Sequence, residues 1–66
     1  MKQPKPLSKI DRKILRELQN HGRLSYAELA RRVGLTTTPC MERVRRMERD
    51  GVIVGYSALL NPSYLE

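Results

Sequence analysis

The sequence is poor in the residues that most often hold small domains together. It has one cysteine, no tryptophan and no phenylalanine among its 66 residues. The single cysteine, Cys40, excludes an internal disulfide and a cysteine-cluster metal site, and it fits a reducing cytoplasm. No apolar run approaches the roughly 20 residues of a membrane span, and no secretion signal follows the basic start MKQPKP. We therefore expect one small cytoplasmic domain with no metal, no cofactor and no membrane partner.

Acidic residues are also scarce. The chain has 13 lysines and arginines but only 7 aspartates and glutamates, which gives a formal net charge of +6. This balance favours a polyanionic partner such as nucleic acid, although charge that serves only solubility explains it equally well. The excess lies in residues 1–35, with nine basic and three acidic residues, whereas residues 36–66 carry four of each. Sequence-independent attraction to phosphate must therefore come mainly from the first half of the chain.

Glycines divide the chain into three helical segments. Ser8 is the expected N-cap of the first helix, with Asp11 as a weak capping-box partner and Gly22 as a left-handed stop. A full capping box that begins at Ser25 opens the second helix, and Gly34 ends it. The apolar stripes of these two helices are predicted at Ile10, Ile14, Leu15 and Leu18, and at Ala27, Leu29, Ala30 and Val33.

The third segment, residues 36–49, combines a narrow apolar stripe with a polar face. A threonine at position 36 or 38 is the expected N-cap, and a proline in the first turn is compatible with either. Helical spacing predicts a buried stripe of Cys40, Val44 and Met47. The same spacing predicts an exposed side of Thr38, Glu42, Arg45, Arg46 and Arg49.

After Gly51 the apolar period changes from helical to alternating. The alternation is typical of a β-strand, and Asn61-Pro62 ends it; the residues on one face are Val52, Val54, Tyr56, Ala58 and Leu60. Nothing else in the sequence predicts a strand that could pair with it. Because an unpaired apolar strand is a liability, we expect it to pair with another subunit or with further chain.

Two short helices joined by a glycine-containing turn, after a longer supporting helix, form a helix-turn-helix unit. The second helix of such a pair enters the major groove of DNA, so we expect residues 36–49 to lie there. Arg46 and Glu42 are expected to contact base edges, whereas Arg43, nearer the core, contacts the backbone or gives support. The expected DNA-binding residues are Arg23, Ser25 and Tyr26 on the phosphates, and Thr36, Thr37, Thr38, Pro39, Glu42, Arg43, Arg45 and Arg46 in the third helix.

Two other interpretations stay open at this point. The polar face of the third helix can be a solvated ion-pair surface, with Glu42 paired to Arg45 or Arg46, or a docking surface for an acidic protein. An enzyme is the weakest alternative, because a triad of Asp11, His21 and Ser25 would lack a pocket.

Three motifs carry a resemblance to a known family. They are Asp11-x-x-Ile14-Leu15, Thr38-Pro39-Cys40-x-x-Arg43-Val44 and Gly51-x-Ile53-x-Gly55-Tyr56. With them, residues 8–66 resemble the N-terminal DNA-binding domain of the leucine-responsive regulatory protein/AsnC (feast/famine) family of transcription regulators.

The resemblance implies a mainly α fold, a three-helix helix-turn-helix (winged-helix-like) domain over residues 8–51. A flexible basic tail, residues 1–7, precedes it, and a single β-strand linker, residues 52–66, leads toward a missing C-terminal domain. Members of the family bind double-stranded DNA as homodimers. Their C-terminal domain binds amino-acid effectors such as leucine and builds higher oligomers, so the resemblance implies a piece of a longer regulator without an effector site of its own.

Overall fold

Three helices make up the fold in the computed structural model, which describes residues 7–65. They are α1, Lys9–Asn20, α2, Tyr26–Val33, and α3, Thr37–Arg49, followed by a short 3₁₀-helix at Pro62–Tyr64. This confirms the mainly α class and the three predicted helices. The three-residue turn of residues 34–36 joins α2 to α3, as a helix-turn-helix unit requires.

The core lies where one stripe from each helix meets the other two. Ile14 of α1, Leu29 of α2 and Val44 of α3 are each at most 1% exposed. Cys40 is fully buried, and burial raises the pKa of its thiol, so it behaves as a small apolar residue. Ala27, predicted in the stripe of α2, is exposed instead. The buried core consists of Ile14, Leu29, Ala30, Val33, Cys40, Val44 and Met47.

The first two helices begin at serine caps, as the sequence predicts. The hydroxyl of Ser8 accepts a hydrogen bond from the backbone N–H of Asp11 at 3.1 Å, and Ser25 accepts one from Glu28 at 3.1 Å. Neither cap closes into a full box, because the carboxylate of Asp11 turns toward α3 and that of Glu28 pairs with Arg31. Each serine hydroxyl therefore caps its helix, whereas each acidic side chain forms an ion pair instead of the second capping hydrogen bond.

Two glycines give the ends of α2 and α3 their shape. Gly34 and Gly51 both have φ of 79°, a left-handed conformation that side chains with a Cβ resist. Each starts a Schellman turn, in which Leu35 donates to the carbonyl of Ala30 at 2.8 Å and Val52 to that of Met47 at 2.9 Å. The turn after Gly34 therefore sets the direction in which α3 leaves α2.

The prediction of a left-handed stop at Gly22 is wrong. Gly34 and Gly51 are the positive-φ glycines of residues 7–65, and Gly22 is not among them. The end of α1 is capped instead by His21, whose N–H donates to the carbonyl of Glu17 at 2.9 Å. The backbone N–H of Leu24 then donates to the carbonyl of His21 at 3.3 Å, so the chain leaves α1 through an ordinary hydrogen-bonded turn.

This difference gives a matched test of backbone strain. We expect Gly34→Ala to lower the free energy of unfolding by about 1 kcal/mol, because alanine is strained at positive φ. Gly22→Ala is the control, since a Cβ there meets no atom within 4 Å and φ is not positive. Urea unfolding followed by circular dichroism measures both, and equal losses at the two sites would contradict the assignment.

The predicted strand over residues 52–60 is not formed, and residues 7–65 contain no strand. A strand exists only as part of a hydrogen-bonded ladder, and this part of the chain gives the segment no partner. Ile53 packs against the core, and Tyr56 donates to Glu48 at 2.7 Å, which ties the start of the segment to α3. Burial first, and then that carboxylate, raises the pKa of Tyr56 to about 12. Further on, Leu59 is fully exposed.

The tail predicted over residues 1–7 lies outside the described residues except for Leu7. None of the helices within residues 7–65 has the length and apolar character needed to cross a membrane.

Candidate nucleic-acid interface

The face of α3 opposite the core is exposed and strongly polar. Its buried stripe of Cys40, Val44 and Met47 fixes the rotation of the helix, so the remaining side chains must face outward. An open cleft of about 510 Å³ runs along this face. The cleft is lined by Pro39, Glu42, Arg43, Arg45, Arg46 and Arg49. Five of the predicted DNA-binding residues therefore lie together on one surface. Arg49, which was not among the predicted contacts, lies on the same surface.

The N-terminus of α3 differs from those of α1 and α2. Thr36 is the N-cap residue, one position before the first helical residue Thr37, and its side chain makes no capping hydrogen bond. Thr37, Thr38 and Pro39 form the exposed first turn. A tip of small hydroxyl side chains with uncapped N–H groups is suited to approach an anion closely.

A buried carboxylate beneath this face was not among the predicted site residues. Asp11 of α1 is 6% exposed and accepts a hydrogen bond from Nη1 of Arg43 at 3.2 Å. Its second oxygen lies 3.8 Å from Nη2 of Arg46. The sequence held a signal for this role, because Asp11 falls on the apolar side of α1 between the core positions. Arg43 uses Nη1 for this hydrogen bond, and its predicted role, backbone contact or support, stays a prediction.

The predicted ion pairs of Glu42 with Arg45 or Arg46 are not formed in the described part of the chain. The ion pairs of α3 there run from Arg43 and Arg46 to Asp11, across 32 and 35 positions of sequence. Glu42 is exposed and keeps its carboxylate oxygens available to a ligand. The polar face of α3 is therefore not a self-neutralised ion-pair surface.

The loop before α2 and the first turn of α2 carry the other predicted contact residues. Ser25 is the N-cap of α2, and its hydroxyl oxygen accepts from Glu28 while its own hydrogen remains available as a donor. Tyr26 is the first residue of α2 and is 36% exposed. Arg23 is exposed in the preceding loop.

Elsewhere on α2 the basic charge is partly neutralised. Arg31 and Arg32 both pair with Glu28, and Arg32 also reaches Glu17 of α1 at 3.1 Å. Hydrogen bonds from the two arginines hold the pKa of the Glu28 carboxyl below its usual value. Within residues 7–65 the basic side chains without an ion pair are Lys9, Arg12, Lys13, Arg16, Arg23, Arg45 and Arg49.

Comparison with known proteins agrees with this geometry. The model of a winged helix-turn-helix DNA-binding family matches residues 7–54. The leucine-responsive regulatory protein of Escherichia coli strain K12 is 64% identical over 62 residues, which cover 94% of this chain and 38% of that protein. This chain therefore spans well under half the length of such relatives.

Solved structures give the same picture. An AsnC family transcriptional regulator from Agrobacterium tumefaciens superposes with a TM-score of 0.82 at 51% identity, over 89% of this chain and 39% of that one. A transcriptional regulator from Neisseria meningitidis, solved as a complex with L-Met, gives 0.84 at 43% identity, over 91% and 39%. These relatives are all named as regulators. The chain belongs to the winged helix-turn-helix DNA-binding family, among transcription regulators of the leucine-responsive regulatory protein/AsnC type.

Proposed function

We propose that this chain binds double-stranded DNA sequence-specifically, with α3 in the major groove, and that it has no catalytic activity. The observation that carries the proposal is the exposed face of α3 above the buried core. There, arginines flank Glu42, which forms no ion pair within residues 7–65. Arginine can contact guanine through two hydrogen bonds, and glutamate can accept one from cytosine. An acidic protein partner is a poorer fit, because ionised carboxylates offer no hydrogen-bond donor to Glu42, whereas the amino group of cytosine does.

In this arrangement three groups of residues have distinct tasks. Arg46 and Glu42 contact base edges, while Arg45 adds a further donor beside them. The first turn of α3, with its threonines and Pro39, enters the groove close to the phosphates. Phosphates at the edge of the groove are contacted by Arg23, Ser25 and Tyr26. Arg43 acts mainly as support, through its hydrogen bond to Asp11.

Selection of duplexes from a randomised pool, followed by binding measurements at several salt concentrations, tests the proposal. We expect an enriched sequence to bind at least about a thousandfold more tightly than random duplex at equal salt when both half-sites of a dimer are present. A protein-interaction module would instead enrich no sequence and would bind duplex weakly at low salt only.

Replacing two arginines separates base contacts from phosphate contacts. We expect Arg46→Ala to weaken binding to the enriched duplex by about 1–3 kcal/mol and to relax its preference at one base pair. Arg23→Ala, the matched control with the same change of charge, should weaken enriched and random duplex alike and reduce the salt slope by about one. Fluorescence anisotropy titrations measure both variants. An equal loss for Arg46→Ala on both duplexes would make Arg46 a phosphate contact.

The partners beyond DNA follow from the same comparison. We propose that the protein acts as a cytoplasmic homodimer, with residues 53–59 of two copies pairing as antiparallel strands. Related regulators are named as leucine-responsive or were solved with L-Met. We therefore propose that an amino acid such as leucine regulates it through a C-terminal effector domain like that of the family, and not through residues 7–65. Higher oligomers would form through the same domain.

A further inference from the structure

Two arginines of the exposed face of α3 meet a single carboxylate that belongs to another helix. The side chain of Asp11 is 9% exposed, while those of Arg43 and Arg46 are 33% and 52% exposed. Asp11 uses both oxygens, one for each arginine, at 3.2 Å and 3.8 Å. No other acidic side chain in the described part of the chain pairs with α3.

The two contacts differ in kind. Arg43 donates a hydrogen bond to Asp11, so this pair fixes the carboxylate. Arg46 lies beyond hydrogen-bonding distance, with its Nη2 3.8 Å from the carboxylate. Because a guanidinium has five N–H donors in a rigid plane, the remaining donors of Arg46 stay free to meet a base edge. Asp11 therefore orients the side chain without using up its capacity to bind.

We propose that Asp11 is a positioning residue for sequence discrimination: its buried carboxylate orients Arg46 toward base edges and keeps it away from phosphates. This rests on the proposed binding of α3 in the major groove. An oriented arginine loses less side-chain freedom when it meets a guanine, which favours the preferred sequence. A released arginine is free to swing to the nearest phosphate, which favours any sequence. Both effects make Asp11 a determinant of selectivity.

Asp11→Asn tests this, with Glu17→Gln as the matched control. Each variant removes one negative charge from α1 and weakens ion pairs between helices. Asp11 pairs with Arg43 and Arg46, whereas Glu17 pairs with Arg32, which keeps its second contact with Glu28. For Asp11→Asn we expect the ratio of affinities for enriched and random duplex to fall about threefold to tenfold. The salt slope on random duplex should become steeper by up to about one unit, as one more phosphate is contacted.

The outcomes separate the inference from the function beneath it. A folded Asp11→Asn that keeps the wild-type ratio, or a Glu17→Gln that loses as much, overturns the role of Asp11 and leaves the proposed DNA binding intact. A wild-type chain with no preference between enriched and random duplex overturns both.

A measurement on the wild-type chain covers the case in which Asp11→Asn fails to fold. Nitrogen-15 relaxation of arginine side chains should show Nε of Arg46 more ordered than that of Arg45 or Arg49, which have no ion pair in residues 7–65. Equal mobility of the three side chains would overturn the inference, because Arg46 would then be no better oriented than its neighbours.

Discussion

Leu29→Ala should unfold most of this domain at physiological temperature. Leu29 is 1% exposed and lies at the centre of α2, the helix that packs against both others. Replacing a buried leucine by alanine costs about 2–5 kcal/mol, because the lost contacts leave a cavity. A 66-residue domain has a total stability of only about 3–10 kcal/mol, so the loss approaches the whole.

The measurement is thermal unfolding followed by circular dichroism, where a fall of the midpoint by roughly 10–40 °C is expected. Leu65→Ala is the control, since Leu65 is 62% exposed, lies outside the proposed pairing segment and undergoes the same chemical change. It should change stability by less than about 0.5 kcal/mol. If Leu29→Ala unfolded within a few degrees of the wild-type chain, the packing of α2 between α1 and α3 would be wrong.

Local sequence was sufficient to predict the helices and the turn that orients α3. Helical periodicity found the buried stripe of Cys40, Val44 and Met47, which fixes the outward face of α3. Gly34 was predicted to end α2, and α2 does end there, with Gly34 at φ of 79°. These features depend on neighbours within a few positions, so a single sequence contains them.

Contacts between distant residues could not be predicted in the same way. Glu42 and Arg46 are four positions apart and suited to pairing, yet Arg46 faces Asp11 on another helix. An exposed pair at this spacing is worth only a few tenths of a kcal/mol, so tertiary geometry decides which partner is taken. The prediction of a strand over residues 52–60 was wrong for a related reason. The alternating pattern indicates that a segment is suited to pairing, but it does not say which segment would pair with it.

That unpaired surface is the reason to expect a dimer. Val54 is 96% exposed and Leu59 is fully exposed. The backbone N–H groups of residues 54–60 donate to no group within residues 7–65. One recognition helix reads only a half-site, and two need a fixed separation of about one helical turn, roughly 34–36 Å, to read a two-fold symmetric operator. A paired segment from two copies would supply that fixed separation.

We expect the double change Val54→Gln and Leu59→Gln to weaken binding to a duplex with two enriched half-sites by about a hundredfold, because the second contact loses its effective concentration. Binding to a duplex with one half-site should be unchanged, since α3 is untouched. Leu65→Gln is the control, because Leu65 is 62% exposed but lies outside residues 52–60. Analytical ultracentrifugation should show the double variant monomeric at concentrations where the wild-type chain dimerises.

A covalent link decides between loss of the dimer and damage to the domain. Two copies of the double variant joined by a flexible linker of about 40 residues can span one helical turn, since such a linker has an end-to-end distance of roughly 35 Å. If the glutamines act only on pairing, the linked variant should regain most of the hundredfold loss on the two-site duplex. If the linked variant stays weak, residues 52–60 support the fold of each copy, and the dimer must form through another surface.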